Sequence, residues 1–444
     1  MGQTEYIKKL IDIFDTVSLY EGVINSGPSA TMAELLQAVS CTGDNAAPKK
    51  LLAKLFKELA ARAEFSHFPQ AGNLWQSYLL DQIILNENTF TRMAAGGRLH
   101  QGGPPAGTVM STAASDLKSL KILLDVDFRR LFPFDRDDCA YPELINTAPE
   151  IAVPEAAKKE ASLQYYRLKL ELLYAEDWGE TAKTLLEFHS SSGYGTFCLC
   201  HAFRWDGKNK RLAAIADPDP VRMEDLVGYE DERNRVILNT DRLLSGLPAS
   251  NLLLYGDRGT GKSSTVKALL HQYGHRGLRI VEIPKKHLED YPEIIESIKD
   301  TGLKFILFVD DLSFEDHETE YKQLKSILDG SLQAKPGNTA IYATSNRRHL
   351  VREFFDERNK DVNGMDTVQE KLSLSDRFGL TVLFLSPDQE LYLKIVEGLA
   401  AQKGIAMPLK ELRLRAIEWE RWNNGRSGRT ARQFVDHLIA PYLK

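Results

Sequence analysis

The sequence predicts an α/β fold with a five-stranded parallel sheet, a mainly helical N-terminal region and a C-terminal helical lid. Short, continuous apolar runs alternate with helical patterns in the second half of the chain, as expected for parallel strands buried on both faces. One run leads straight into a glycine-rich loop that opens a helix. The predicted strands of this sheet are Leu252–Tyr255, Leu278–Ile283, Phe305–Val309, Ala340–Ala343 and Leu380–Leu385. A further strand is predicted earlier in the chain, over Gly193–Trp205.

The domain boundaries follow from changes in the sequence pattern. Apolar residues recur at helical spacing before residue 215, interrupted by a glycine- and proline-rich stretch at residues 96–107 that predicts a loop. Asp217–Pro220 marks a boundary, because each proline restricts the residue before it. We therefore predict an N-terminal helical region over residues 1–215, an α/β domain over 216–386 and a helical lid over 387–444.

The composition disfavours three classes of protein, namely broad nucleic-acid binders, disulfide-rich scaffolds, and secreted or membrane-spanning proteins. The net charge of -6 argues against broad electrostatic binding of nucleic acid, which needs a basic surface. Four cysteines are too few for a disulfide scaffold, so a reducing cytoplasm is the default compartment. We find no run of 18 apolar residues and no apolar signal-peptide core at the N-terminus. We expect a cytoplasmic protein that does not bind membranes.

The glycine-rich loop fits the pattern G-x-x-x-x-G-K-[ST] and predicts a phosphate site for ATP. Glycines allow backbone N–H groups to turn inward around phosphate oxygens, and the following helix adds its N-terminal dipole. Lys262 is expected to reach the β- and γ-phosphates and to face solvent before a nucleotide binds, while Ser263 ligates Mg²⁺. The residues expected to bind the nucleotide here are Gly256, Asp257, Arg258, Gly259, Thr260, Gly261, Lys262, Ser263 and Ser264.

Polar side chains follow two of the other predicted strands. Asp310 and Asp311 end an apolar strand, and an acid delivered there suits Mg²⁺ binding. We assign Asp310 to the metal and Asp311 to the attacking water. Asn346 ends the next strand, where an amide can hold that water or sense the γ-phosphate.

Two arginine positions complete the candidate site. Arg377 precedes the last strand, where its guanidinium can reach the γ-phosphate of an adjacent subunit as an arginine finger. Gly428 to Phe434 begin a lid helix whose first turns carry Arg429 and Arg432. Either arginine can fold over a bound nucleotide, and we choose Arg432 with Arg429 in reserve.

The order of these motifs resembles that of AAA+ ATPases. From about Gly193 onward the chain is most similar to a bacterial AAA-type group catalogued as domain of unknown function family 815. The resemblance implies that Val227, Gly228 and Tyr229 border the adenine, that Asn346 is the sensor on the fourth strand, and that subunits form rings or spirals. The resembling runs are Asp225–Tyr229, Asp310–Glu315, Tyr342–Leu350 and Leu374–Gly379.

Two positions depart from the general AAA+ pattern. Most members carry Glu where this chain has Asp311, and the side chain shorter by one methylene predicts slow turnover. Ile283–Leu288 lacks the aromatic–hydrophobic–Gly loop with which unfoldases grip polypeptides. The sequence therefore disfavours a threading unfoldase.

The expected function is an ATP-dependent switch or remodeller of an unidentified protein partner, acting as a homo-oligomer. One alternative is a nucleic-acid loader, a second is a nucleotide-binding scaffold with little hydrolysis, and a third is a small-molecule kinase. The loader would use a basic patch formed by Lys285, Lys286, Arg347, Arg348, Arg413, Arg415, Arg421 and Arg426. Glutamates among the lid arginines favour an ordinary solvated surface, so nucleic acid is possible but not favoured.

Overall fold

The chain forms two compact units, which are Met1–Cys200 with Asp300–Gly302, and His201–Lys299 with Leu303–Lys444. The computed structural model describes residues 3–41, 46–64, 70–100, 104–132, 139–147, 160–314, 320–329, 336–346, 374–423 and 425–439. No helix in these ranges is both long enough and apolar enough to cross a membrane.

The first unit is helical, as predicted. Its core is a single apolar cluster, to which the long fourth helix contributes Leu52, Leu55 and Leu59 at helical spacing. Trp75 is fully buried and its indole N–H donates to the Leu123 carbonyl at 2.7 Å. The helices in the described ranges are α1 (Gln3–Thr16), α2 (Glu21–Ile24), α3 (Pro28–Cys41), α4 (Ala46–Glu64), α5 (Leu74–Ile84), α6 (Thr89–Ala95), α7 (Pro104–Leu124), α8 (Phe128–Leu131), α9 (Tyr141–Asn146), α10 (Glu160–Tyr174) and α11 (Thr181–Ser192).

Two local predictions for this part of the chain were wrong. The predicted loop is already helical from Pro104. Proline is tolerated at the start of a helix, because the backbone N–H that it lacks would have no hydrogen-bond partner there. The strand predicted over Gly193–Trp205 begins only at Ala202. Gly193 and Gly195 have φ of 84° and 54°, which breaks an extended backbone and leaves a short 3₁₀ turn at Gly195–Cys198.

A buried histidine is expected to make this unit less stable in acid. His189 is fully buried, and its Nδ1 lies 2.8 Å from the Gly193 carbonyl, to which it can donate. Its Nε2 is buried without a hydrogen-bond partner in the described part of the chain. Burial lowers the pKa of His189 to about 4, because protonating Nε2 would bury a charge.

We expect the free energy of unfolding of this unit to fall as pH drops. The unfolded chain takes up the His189 proton near pH 6.5, whereas the folded chain does so only near pH 4. The contribution of neutral His189 to the free energy of unfolding is therefore fully present above pH 6.5. It decreases by roughly 3 kcal/mol in total as the pH falls from 6.5 to 4. Denaturant titrations of wild type and His189→Gln from pH 7 to pH 4.5 measure the free energy of unfolding at each pH. Its slope against pH should be shallower for His189→Gln than for the wild type.

His100→Gln is the matched control for that prediction, because His100 lies in the same unit and is exposed. It should keep the wild-type pH dependence. A His189→Gln chain whose stability falls with pH as steeply as the wild type would show that His189 is not the responsible group.

The second unit is built on a seven-stranded sheet. The five predicted parallel strands are present, but the prediction of five was too low. Two more strands extend the edge, because β1 (Ala202–Asp206) pairs in parallel with β4 (Leu278–Glu282) and β2 (Arg211–Ile215) pairs antiparallel with β1. The strands are β1 (Ala202–Asp206), β2 (Arg211–Ile215), β3 (Leu252–Gly256), β4 (Leu278–Glu282), β5 (Lys304–Val309), β6 (Thr339–Ser345) and β7 (Leu380–Phe384), in the order β2-β1-β4-β5-β6-β3-β7.

Helices flank this sheet and follow it. Between the strands lie α12 (Glu230–Leu244), α13 (Lys262–Tyr273), α14 (Tyr291–Ile298) and α15 (Glu320–Asp329), with 3₁₀ turns at Met223–Asp225, Gly274–Arg276, Lys285–Asp290 and Ser375–Arg377. After the last strand come α16 (Gln389–Gln402), α17 (Leu409–Trp422) and α18 (Gly428–Ile439), as predicted for the lid. The predicted domain boundaries at residues 215 and 386 stay predictions. β1 and β2, which precede residue 216, nevertheless pair within the sheet of the second unit.

The strand order decides where the polar strand ends meet. β6 lies between β5 and β3 and is buried along its whole length. All three strands run parallel, so their carboxyl ends reach the same edge of the sheet. Ligands of open α/β sheets bind at this edge, where neighbouring strands connect in opposite directions. The glycine-rich loop, the two aspartates and the asparagine therefore come together.

Candidate functional site

The loop after β3 can only be formed by glycine at two positions. Gly256 has φ of 128°, and a Cβ there would lie 2.1 Å from the Phe384 carbonyl oxygen of the neighbouring strand. Gly261 has φ of 95° and precedes the first residue of α13, and a Cβ there would meet no atom within 4 Å apart from those of its neighbours in the chain. Left-handed backbone and close approach both favour glycine. The loop therefore turns sharply and leaves open space beside Gly261.

Lys262 does not face solvent, which corrects the sequence expectation. The residue is only 6% exposed. Its ammonium donates to the carbonyls of Gly256 at 2.9 Å and Asp257 at 2.6 Å, and to Asn346 Oδ1 at 3.3 Å. Burial lowers the pKa of Lys262, although three nearby aspartates act in the opposite direction. The lysine is thus held across the loop and pointed at the end of β6.

Ser263 and Asp310 lie in direct contact. The Ser263 hydroxyl donates to Asp310 Oδ1 at 2.6 Å, and the same oxygen accepts from Thr344 Oγ1 at 2.5 Å. The Asp311 backbone N–H in turn donates to Thr344 Oγ1 at 2.9 Å. A hydroxyl and a carboxylate oxygen brought together in this way are hard ligands of the kind that Mg²⁺ prefers.

Asp311 is held beside Asn346. Asn346 Nδ2 donates to Asp311 Oδ1 at 2.7 Å, and Asn346 Oδ1 accepts from Lys262. The backbone of Asp311 has φ of 50°, a left-handed conformation that aspartate tolerates better than most residues. The structure therefore brings together the side chains that end β5 and β6 and the lysine that begins α13.

These groups line a cavity of about 650 Å³. Its size lies within the usual range for small-molecule sites. Besides the glycine-rich loop and the aspartates, the wall includes apolar side chains such as Phe384, Ile395 and Leu399. Of the residues selected from the sequence, the wall includes Val227, Tyr229, Arg258, Gly259, Thr260, Gly261, Lys262, Ser263, Ser264, Asp310, Asp311, Asn346, Arg429 and Arg432.

The turn before α12 contributes Val227 and Tyr229 to the cavity wall. Gly228 and Tyr229 both have left-handed backbone, with φ of 79° and 57°. A Cβ on Gly228 would lie 2.8 Å from Leu391 Cδ1 of α16, so the turn packs tightly on the lid. The Tyr229 hydroxyl donates to the Leu385 carbonyl at 2.6 Å, and its ring packs against Phe384. Val227 lines the cavity, whereas Gly228 is not among the lining residues.

The first turn of α18 rests on the glycine-rich loop. The Arg429 N–H donates to the Gly259 carbonyl at 3.2 Å. The Ser427 hydroxyl accepts from the Thr430 N–H at 3.0 Å and so caps the helix. Arg429 and Arg432 are both exposed and both line the cavity. The structure therefore does not separate Arg432, which the sequence analysis chose, from Arg429, which it kept in reserve.

Arg377 lies apart from these residues. It is not among the residues that line the cavity, and it forms an ion pair with Asp329 at the end of α15. Its side chain is 27% exposed, and its Nε is buried without a hydrogen-bond partner in the described ranges. Arg377 is therefore not placed to act on a ligand in the cavity of its own chain.

Sequence reasoning missed two polar residues of the site. Thr344 was not selected, although a threonine near the carboxyl end of a strand that is followed by Asn346 is a recognisable signal. Arg233 was missed because an arginine in the first turns of a charged helix looks like a surface residue. The structure shows Arg233 only 9% exposed and in the cavity wall. Glu315, Arg347 and Arg348, which the sequence also brought into consideration, lie outside the described residues.

Comparison with protein families identifies the second half of the chain. Residues 199–442 match the family described as "Protein of unknown function (DUF815)". The chain belongs to this family. The predicted resemblance is thereby confirmed, and the DUF815 match spans the whole seven-stranded sheet and the lid helices. Among functionally curated proteins, none matches this sequence.

Solved structures with a related backbone include the RuvB Holliday junction branch migration motor of Thermotoga maritima. It shares 15% identity with this DUF815 protein, covering 49% of this chain and 63% of that chain with a TM-score of 0.35. A single-residue variant of the same RuvB shares 14% identity, covering 51% of this chain and 67% of that chain with a TM-score of 0.36. This chain thus spans about two thirds of the length of those chains.

Proposed function

We propose that this protein is an AAA+-type ATPase that binds ATP with Mg²⁺ in the cavity and acts as an ATP-dependent switch or remodeller. The observation that carries the proposal is the continuous hydrogen-bond network in the wall of the cavity. It links Ser263, Asp310, Asp311, Asn346 and Lys262, which come from two strand ends and the start of one helix. A hydroxyl, two carboxylates, an amide and an ammonium meet in one place, as phosphoryl transfer requires.

The residues present fit the nucleotide and its metal ion. The loop at Gly261 leaves open space where phosphate oxygens would lie, next to the N-terminus of α13. Ser263 and Asp310 would hold Mg²⁺, directly or through water, and that ion would supply positive charge against the phosphates. Lys262 would exchange its carbonyl partners for phosphate oxygens, and Arg432, with Arg429 beside it, would cover the nucleotide from the lid.

Slow hydrolysis is part of the proposal. Asp311 would orient the attacking water together with Asn346, but its side chain is short and already accepts a hydrogen bond from that amide. Slow hydrolysis would keep the chain in its ATP-bound state for much longer than binding takes, as a molecular switch requires. If turnover were negligible, the same geometry would describe a nucleotide-binding scaffold.

Ion pairs of three of the four lid arginines in the predicted patch disfavour nucleic acid as the ligand. Arg413, Arg415 and Arg426 form ion pairs with Glu397, Glu411 and Glu420 within the lid. Their charge is therefore largely balanced, and phosphate backbones would have to compete with carboxylates. Lys285, another member of the supposed patch, donates to the Ser313 carbonyl at 2.9 Å.

Lys262→Ala is expected to weaken ATP binding by at least tenfold. The ammonium belongs to the hydrogen-bond network and would contact the phosphates directly. Titration of the full chain with Mg·ATP measures the loss. Thermal unfolding should be recorded in parallel, because the buried lysine also bonds the loop carbonyls.

Lys267→Ala is the matched control, since Lys267 lies on the same helix and pairs with Asp219 outside the cavity. It should bind Mg·ATP like the wild type. An unchanged ATP affinity in a folded Lys262→Ala chain would rule out the proposed phosphate site.

A further inference from the structure

The Asp310 carboxylate is held through one of its two oxygens. Oδ1 accepts from the Thr344 hydroxyl at 2.5 Å, the Ser263 hydroxyl at 2.6 Å and the Asp311 N–H at 3.1 Å. Oδ2 accepts no hydrogen bond from the residues that the structure describes. A carboxylate oxygen offers about two lone-pair sites, so Oδ1 is fully occupied. Oδ2 is therefore the oxygen left for a metal ion or for a water bound to that ion.

Thr344 supplies the shortest of these bonds from within β6. It is only 2% exposed, although it belongs to the cavity wall. Its single hydroxyl proton is committed to Asp310, and its oxygen accepts the Asp311 N–H at 2.9 Å. A buried group engaged in this way acts on a ligand through its protein partners. Ser263, which also donates to Asp310 Oδ1, differs because it is itself a proposed metal ligand.

Thr344 also holds the backbone that follows β5. The Leu312 N–H donates to the Thr344 carbonyl at 2.7 Å, next to the bond from the Asp311 N–H to the hydroxyl. Asp311 has φ of 50°, and left-handed backbone is unfavourable for residues other than glycine, so this turn needs such support. One residue of β6 thus fixes both the carboxylate of Asp310 and the turn behind it. Rotation of that carboxylate would break the bond to Thr344.

We propose that Thr344 is a positioning residue for the metal ion, because its hydroxyl holds Asp310 Oδ1 and so leaves Oδ2 for Mg²⁺ or for a water on the ion. The inference rests on the proposed function, since it requires Mg²⁺ beside Ser263 and Asp310. A ligand that is already held in place loses less freedom when the ion binds. Without the Thr344 hydroxyl, the Asp310 carboxylate would be freer to rotate and the ion would bind more weakly.

The test measures the ATP affinity of the full chain in Mg²⁺ and in EDTA, for the wild type and for Thr344→Val. The ratio of the two dissociation constants reports the contribution of the metal ion, because the chain and the nucleotide are the same in both. Valine suits a buried strand position but has no hydroxyl. Thr344→Val should reduce the gain in affinity from Mg²⁺ by about tenfold or more, as is usual when a group that orients a metal ligand is lost. Its affinity in EDTA should match that of the wild type.

Two further variants separate positioning of the metal ligand from a general effect on the strand. Thr344→Ser retains the hydroxyl and should keep most of the gain from Mg²⁺. Thr339→Val is the matched control, because Thr339 begins the same strand and is also 2% exposed. The Thr339 hydroxyl donates to the Pro336 carbonyl at 3.1 Å, and the residue is not part of the cavity wall. Thr339→Val should therefore match the wild type in Mg²⁺ and in EDTA.

The inference would be wrong if Thr344→Val kept the full gain from Mg²⁺, or if it lost affinity equally in Mg²⁺ and in EDTA. It would also be wrong if Thr344→Ser lost as much of the gain as Thr344→Val, because the hydroxyl would then not be the cause. A wild-type chain whose ATP affinity did not depend on Mg²⁺ would contradict it as well. A wild-type chain that bound ATP in neither condition would instead overturn the proposed function itself.

Discussion

Arg377→Ala and Lys262→Ala chains are each expected to be nearly inactive as ATPases, yet a mixture of the two should regain part of the activity. In a mixed assembly, some interfaces pair an intact glycine-rich loop with an intact arginine. The loss for Arg377→Ala alone should be about 10³–10⁵ in rate if the guanidinium stabilises transition-state charge as arginine fingers do. Phosphate release measured at fixed total protein follows both results.

The geometry of Arg377 motivates this experiment. The arginine is absent from the wall of its own cavity and is paired with Asp329, with about a quarter of its side chain exposed. We propose that an arginine placed in this way acts on the nucleotide of a neighbouring copy. ATP should also promote association of the chains, because a ligand that bridges two subunits binds the assembled state better.

A double variant provides the matched control for the mixture. Chains carrying both Lys262→Ala and Arg377→Ala, mixed with Arg377→Ala chains, contain intact loops but no intact arginine and should stay inactive. Two outcomes contradict a shared site: no recovery in a mixture that is shown to co-assemble, or full activity from a chain that stays monomeric during the assay.

Asp311→Asn is expected to keep Mg·ATP bound and to slow hydrolysis by about 10²-fold or more. The change removes a charge with little disturbance of the fold. Asparagine tolerates the left-handed backbone at this position, with φ of 50°, as well as aspartate does. Its side-chain oxygen can also accept the hydrogen bond from Asn346. Single-turnover hydrolysis and a nucleotide titration separate the chemical step from binding.

Asp241→Asn serves as the control for this charge change, since Asp241 pairs with Arg276 outside the cavity. Its hydrolysis rate should match the wild type. If Asp311→Asn hydrolysed ATP at the wild-type rate, the role would pass to another carboxylate, with Glu315 the next candidate. The Asp311→Asn chain is also suited to capturing the unidentified partner, because it should hold ATP without releasing the assembly.

The local chemistry of this protein could be predicted from its sequence because it depends on residues close together in the chain. The run from Gly256 to Ser263 requires glycine conformations and a helix start that neighbouring residues determine. Apolar runs ending in Asp310 and Asn346 predicted two strands and their polar ends. The count of five strands was low because β1 and β2 join the sheet through pairing with β4 and with each other, which no local pattern of residues records.

Only the tertiary structure decided which of these residues meet. The strand order places β6 between β5 and β3, so that Thr344 and Asn346 reach Asp310, Asp311 and Lys262 across long separations in sequence. Burial of Lys262 and Arg233 likewise follows from packing around them, which no residue pattern records. The sequence determined the groups that the site contains. Their orientation, and the separation of Arg377 from its own cavity, depended on contacts that exist only once the chain has folded.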